Sequence, residues 1–128
     1  MWLSKQTVSG RKEERVYTGD VTMSGEQVGV YTDTERRNVL VYAPAGYFWM
    51  PKANQNLLII KNAEGENCAI GAETGEFPAG MESGEVYIKS EGAYIWIKNK
   101  EIEMGGDIHM SGRVNITGSL TVNGTQIN

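Results

Sequence analysis

GDIHMSGRVNITGSLTVNG, residues 106–124, carries glycine at every sixth position: Gly106, Gly112, Gly118 and Gly124. The same two slots between them are apolar each time, filled by Ile108 and Met110, Val114 and Ile116, then Leu120 and Val122. Ile102 and Met104 fill them once more upstream. Side chains of a strand alternate between faces and six is even, so equivalent positions in successive repeats stay on one face. The even-numbered apolar residues are therefore expected to point inward. The odd positions, such as Asp107, His109, Ser111, Arg113, Asn115 and Thr117, form a polar outside. Glycine at each boundary permits a sharp bend that a β-branched residue resists. The metre runs from about Ile102 to the C-terminus.

A solenoid needs several stacked units before their faces bury one another, and one chain holds too few of these repeats to do so alone. Three copies wound about a common axis would enclose the paired apolar residues in the dry centre of a triangular prism. Full burial of an Ile, Val, Leu or Met stabilises by roughly 1.5–3 kcal/mol. Left exposed, the same residues would make an aggregation strip. The repeat thus predicts a homotrimer with Ile102, Met104, Ile108, Met110, Val114, Ile116, Leu120 and Val122 as its core.

Upstream of the repeat, EVYIKS, AYIWIKN and EIEM alternate apolar with polar residues and read as strands. Before them, ETGEFPAGMESGE at 73–85 turns abruptly to Gly, Pro and Glu, with Pro78 favouring a turn. This stretch is expected to be the joint between two domains. Between Glu14 and Ala72 lie five short β-rich runs, RVYTGDVT, EQVGVYT, NVLVYAP, NLLIIKN and NCAIGA, which predict a small barrel. Their separators are turn-formers or solvated charge, including DTERRN at 33–38, where Arg36 and Arg37 read as loop charges. The expected organisation is an arm at 1–13, the barrel at 14–72, the joint at 73–85 and the repeat domain at 86–128.

The whole chain limits what this can be. Its 128 residues have room for a small domain plus an appendage, not for a large enzyme core. A net charge of −4 repels nucleic acid and anionic membranes rather than gathering them. The first residues contain no 7–15-residue apolar core of a secretory signal, and no stretch reaches the roughly 20 apolar residues of a membrane helix. Cys68 is the single cysteine, which excludes an internal disulfide, suits a reducing cytoplasm and reads as a small buried side chain.

The order of parts resembles the central baseplate spike of Mu-like contractile phage tails and related bacteriocins, the baseplate assembly V family. The residues carrying the resemblance are VYAPAGYFWMPKANQNLLIIKNAEGENCAIGAE, the Gly/Pro joint and the repeat ending in GSLTVNG. Within the first segment, Pro51, Leu57 to Ile60 and Ile70-Gly71-Ala72 stand where the family has its Pro turn, hydrophobic strand and closing Gly turn. The resemblance implies an all-β protein: a five-stranded oligonucleotide/oligosaccharide-binding (OB) type barrel, then a trimeric intertwined triple-stranded β-helix needle. It further implies a structural protein, made in the host cytoplasm and assembled into a virion or tail-like particle. Its partners would be two further copies, the tail hub and baseplate, and in passing the host envelope, which it pierces or plugs. No nucleic acid is expected as a partner.

Two departures from that family are visible. Relatives with an iron-binding tip carry paired His-x-His, whereas His109 is the only histidine here and is flanked two residues away by Asp107 and Ser111. No metal or other cofactor is therefore expected, and one outward His without supporting ligands is a poor site. Residues 73–85 also leave no space for an inserted wall-degrading domain.

The remaining chemistry-bearing groups have plain readings. Tyr47, Phe48 and Trp49 form the densest aromatic cluster; base stacking there would need a basic groove, so the cluster is read as a candidate hub contact or barrel plug. Trp96 is read as packing at the base of the needle. The glutamates of the middle segment could hide a carboxylate pair, but charges in turns are usually solvated, and GxSxG, HExxH and P-loop motifs are missing. The protein is expected not to be an enzyme. The alternatives are a trimeric receptor- or glycan-binding tail-tip module and a hexapeptide-repeat acyltransferase, which also uses a six-residue metre.

Overall fold

The computed structural model describes residues 16–128; the arm expected at 1–13 and the first residues of the expected barrel lie outside them. Among the described residues the chain is all-β, with eleven strands and no helix. It separates into two compact units between Glu76 and Phe77.

The first unit contains β1 (Val16–Met23), β2 (Gly29–Tyr31), β3 (Glu35–Arg36), β4 (Leu40–Val41), β5 (Asn56–Lys61) and β6 (Asn67–Ala72). They form one sheet in the order β3-β2-β1-β5-β6-β4. Every pairing is antiparallel except β4 with β6, where Leu40 and Val41 stand opposite Cys68 and Ala69. The sheet curls into a half-barrel: the amide of Val39, just before β4, donates to the carbonyl of Val28, just before β2, at 2.9 Å.

Alternation builds the core. On β5, Leu57 and Ile59 are buried and Leu58 is exposed, the period of two expected of a half-covered strand. Val21, Val28, Val30, Val39, Cys68 and Ala69 complete the core, with Tyr17, Val41 and Trp49 packed around it. The neighbours Cys68 and Ala69 are both buried, and just beyond them the β5–β6 register shifts at a bulge, where Ile70 is the extra residue between Ala69 and Gly71 and is exposed.

One separator is not a simple loop. Within DTERRN, Glu35 and Arg36 form β3 against Tyr31 and Val30. Arg36 is held there rather than solvated: its side chain is 13% exposed, its guanidinium carbon lies 4.1 Å from the centre of the Tyr17 ring, and it donates to Thr32 and Asp33. The cation–π contact and the ion pair draw a charged residue onto the sheet.

The second unit contains β7 (Val86–Lys89), β8 (Tyr94–Ile97) and β9 (Ile102–Gly105), an antiparallel three-stranded sheet in chain order. After it the chain bends at Gly106, Gly112 and Gly118, and it ends in a hairpin of β10 (Leu120–Val122) with β11 (Thr125–Ile127). Among the described residues no strand pairs with 106–119.

Candidate assembly interface

The register of the β7-β8-β9 sheet sorts its side chains into two chemically opposite faces. Val86 stands opposite Ile97, and Ile97 opposite Ile102; Ile88 stands opposite Ile95, and Ile95 opposite Met104. These six residues share one face, and every one is between 41% and 64% exposed. No polar side chain interrupts either row.

The other face is closed by aromatics and charge. Tyr87 stacks on Tyr94 at 5.3 Å between ring centres, and its ring meets Trp96 edge-on at 5.2 Å. The Tyr94 hydroxyl donates to Glu103 at 2.6 Å, Lys98 donates to the same carboxylate at 3.2 Å, and the Lys98 ammonium sits 4.5 Å from the centre of the Trp96 ring. The indole N–H of Trp96 donates to Glu85 at 3.0 Å, an oxygen that also accepts the backbone N–H of Glu82. The Tyr94 hydroxyl and Lys98 hold the Glu103 carboxyl below its usual range, and the Glu82 amide, with Trp96 assisting, does the same for Glu85. In return Glu103 raises both Tyr94 and Lys98. Trp96 thus packs on the charged face and not with Ile95 and Ile97.

The expected core residues downstream carry on the apolar character. Ile108, Met110, Val114, Ile116, Leu120 and Val122 are each 38–71% exposed within one chain. Their glycine punctuation has a backbone cause: φ is +102° at Gly106, +109° at Gly112 and +118° at Gly118, a region closed to residues with a Cβ. Gly124 differs. With Asn123 at φ +49° and Gly124 at +78°, it forms the two-residue turn of the β10–β11 hairpin, the type I′ geometry that Asn-Gly favours.

A groove of about 470 Å³ opens on the apolar side of this unit, lined by Ile88, Ile95, Met104 and Ile108, with Lys89, Asp107 and His109 also at its wall. His109 is exposed there, and no group of three His, Cys, Asp or Glu side chains able to hold a metal occurs among the described residues.

Twelve apolar side chains, the eight expected from the metre plus Val86, Ile88, Ile95 and Ile97, are therefore only about half covered. Covering the rest would contribute on the order of 1 kcal/mol each, a total on the scale of the roughly 4–15 kcal/mol that association costs. A partner must cover most of the strip to hold. The four additional residues were readable as strand positions in VYIK and YIWI; that they share a face with Ile102 and Met104 follows only from the register.

In the first unit, the aromatic cluster divides. Trp49 packs against the core, whereas Tyr47 is 65% and Phe48 fully exposed on a loop that contains no charged residue from Val39 to Pro51. This loop lines a shallow cleft between Val41 and Trp49.

The chain matches no family model, and a comparison with curated proteins returns no match.

Proposed function

We propose that this protein is the trimeric central spike of a contractile tail baseplate, in a phage, a prophage or a bacteriocin-like particle. In this reading the half-barrel unit is an OB-type adaptor seated on the tail hub, and Tyr47 and Phe48 contribute to that contact. The second unit is a triple-stranded β-helix needle directed at the host envelope, which it pierces or plugs. Its role is mechanical, without catalysis, metal or cofactor.

The observation that carries the reading is the uninterrupted apolar face of the β7-β8-β9 sheet, followed by apolar pairs separated by glycines of positive φ at six-residue steps. One chain leaves this strip open to water; three chains winding around it would bury it and pair the backbone of 106–119. Absolute solution mass by light scattering, repeated by gel in unheated SDS, tests it. A particle of about 42 kDa, three times 14.1 kDa, that survives SDS is expected. A folded 14.1 kDa monomer would overturn it.

A second reading has one observation in its favour. Tyr87, Tyr94 and Trp96 sit on the face opposite the apolar strip, where aromatic rings could stack on sugars. Binding of host surface glycans by the purified trimer, lost in Trp96→Ala, would make the protein a receptor-binding tail-tip module instead.

A further inference from the structure

A repeat this regular leaves its own alignment undetermined. Ile108/Met110, Val114/Ile116 and Leu120/Val122 are similar in size and character, so a chain slipped by six residues against its neighbours still matches two of the three pairs. Bare strands of similar repeats are prone to such slippage. The hairpin at 120–127 is the one place in this region where the metre breaks: the chain reverses at Asn123-Gly124 and pairs with itself, Leu120 opposite Ile127 and Val122 opposite Thr125.

We infer that this hairpin is the register lock of the assembly, docking through Leu120, Val122 and Ile127 on the same hairpin of two further copies. The inference rests on the trimeric reading above. Leu120, Val122 and Ile127 lie on one face of the hairpin together with Thr125, and the three apolar residues are exposed, at 38%, 47% and 49%. Thr121 and Gln126 take the other face. A two-stranded hairpin of this size is marginal by itself in water, so it needs a surface to lie on. A second copy is the fitting occupant, because the face continues the apolar row of the repeat and residues 114–128 contain no charged side chain to repel a copy of themselves. A hairpin cannot slide along the repeat as a strand can, since its turn occurs once.

The test uses the full chain with Cys68→Ala and a spin label on Thr117→Cys, a position on the polar side of the repeat. Pulsed electron resonance measures label-to-label distances within the assembly. An aligned trimer gives a single distance; a chain slipped by one repeat adds a second, longer one. With the hairpin intact, the second distance is expected only at trace level. In Gly124→Val, which strains the turn, and in Ile127→Ser, which spares the turn but removes the contact, it should rise about tenfold while the mass stays trimeric. A trimer with one unchanged distance in both variants would overturn the lock and leave the spike reading standing. Loss of the trimer in Ile127→Ser would also overturn it, since the hairpin would then hold the assembly together and not merely align it. A monomeric parent chain would remove the spike reading and the lock with it.

Discussion

The ring of Tyr94 lies over Gly105, its directly opposed residue on β9, so closely that a Cβ added at 105 would collide with Tyr94 Cε1. The glycine is a recess for the aromatic ring, and the ring covers backbone that glycine leaves bare. Gly105→Ala should lower stability by about 1–3 kcal/mol through overpacking and displace the hydroxyl from Glu103. Thermal melting and near-ultraviolet circular dichroism check both effects. Gly92→Ala, in open space and without a positive φ, is the control and should stay within about 0.5 kcal/mol.

The repeat glycines are expected to be intolerant for a different reason. A Cβ at Gly112 or Gly118 would meet nothing within 4 Å, yet φ is +109° and +118°. Alanine at either position should therefore cost about 1–3 kcal/mol per chain from backbone strain alone, read as a lower melting temperature with unaltered near-ultraviolet dichroism.

Assembly should depend on side-chain parity. In the proposed trimer, Ile116→Asp would bring three carboxylates around one axis, at several kcal/mol per buried ion, and is expected to yield monomers by light scattering. Ile95→Asp, on the apolar face of β8, should do the same. Thr117→Asp should leave the mass unchanged; equal behaviour of the two neighbouring positions would refute the parity assignment.

Acid and base should loosen the aromatic face in separate ranges. The Glu103 and Glu85 carboxyls are held below their ordinary value of 4.5, so their contribution is present above that pH and is lost as the pH falls through the lowered values. Tyr94 and Lys98 are raised above 10.0 and 10.5, so their contribution is complete below those values and is lost as the pH climbs through the raised ones. Trp96 fluorescence should report a plateau between the two ranges. Glu103→Gln should weaken the acid transition and reduce the upward shift of Tyr94, leaving the part that burial and Tyr87 supply.

Arg36→Lys in the first unit should destabilise by about 1 kcal/mol, because a lysine cannot donate to both Thr32 and Asp33 while stacking on Tyr17. Denaturant titration of the full chain checks it.

The alternation of NLLII and the metre after Ile102 were legible because each is a local pattern repeated several times. Arg36 was not: its fate depends on Tyr17, whose ring comes under the guanidinium only once β2 and β1 are paired. The membership of Val86 and Ile88 in the apolar face was hidden for the same reason, since a strand's two faces are apparent from sequence but not which of them a neighbouring strand extends. Gly124 shows a conflict between two correct signals. It continues the six-residue spacing, and it also completes Asn-Gly, a strong two-residue hairpin sequence. The hairpin prevails because Val122 and Thr125 pair across it.

The positive φ at Gly106, Gly112 and Gly118 also makes length in this region a quantised property. Inserting one residue would exchange the inward and outward sets beyond it and leave a side chain where only glycine fits. Inserting a whole unit such as GRVNIT would preserve both. If the repeat winds into the proposed needle, that needle can be lengthened or shortened only in steps of six residues, so a designer wanting a different reach has a ruler already marked on the chain.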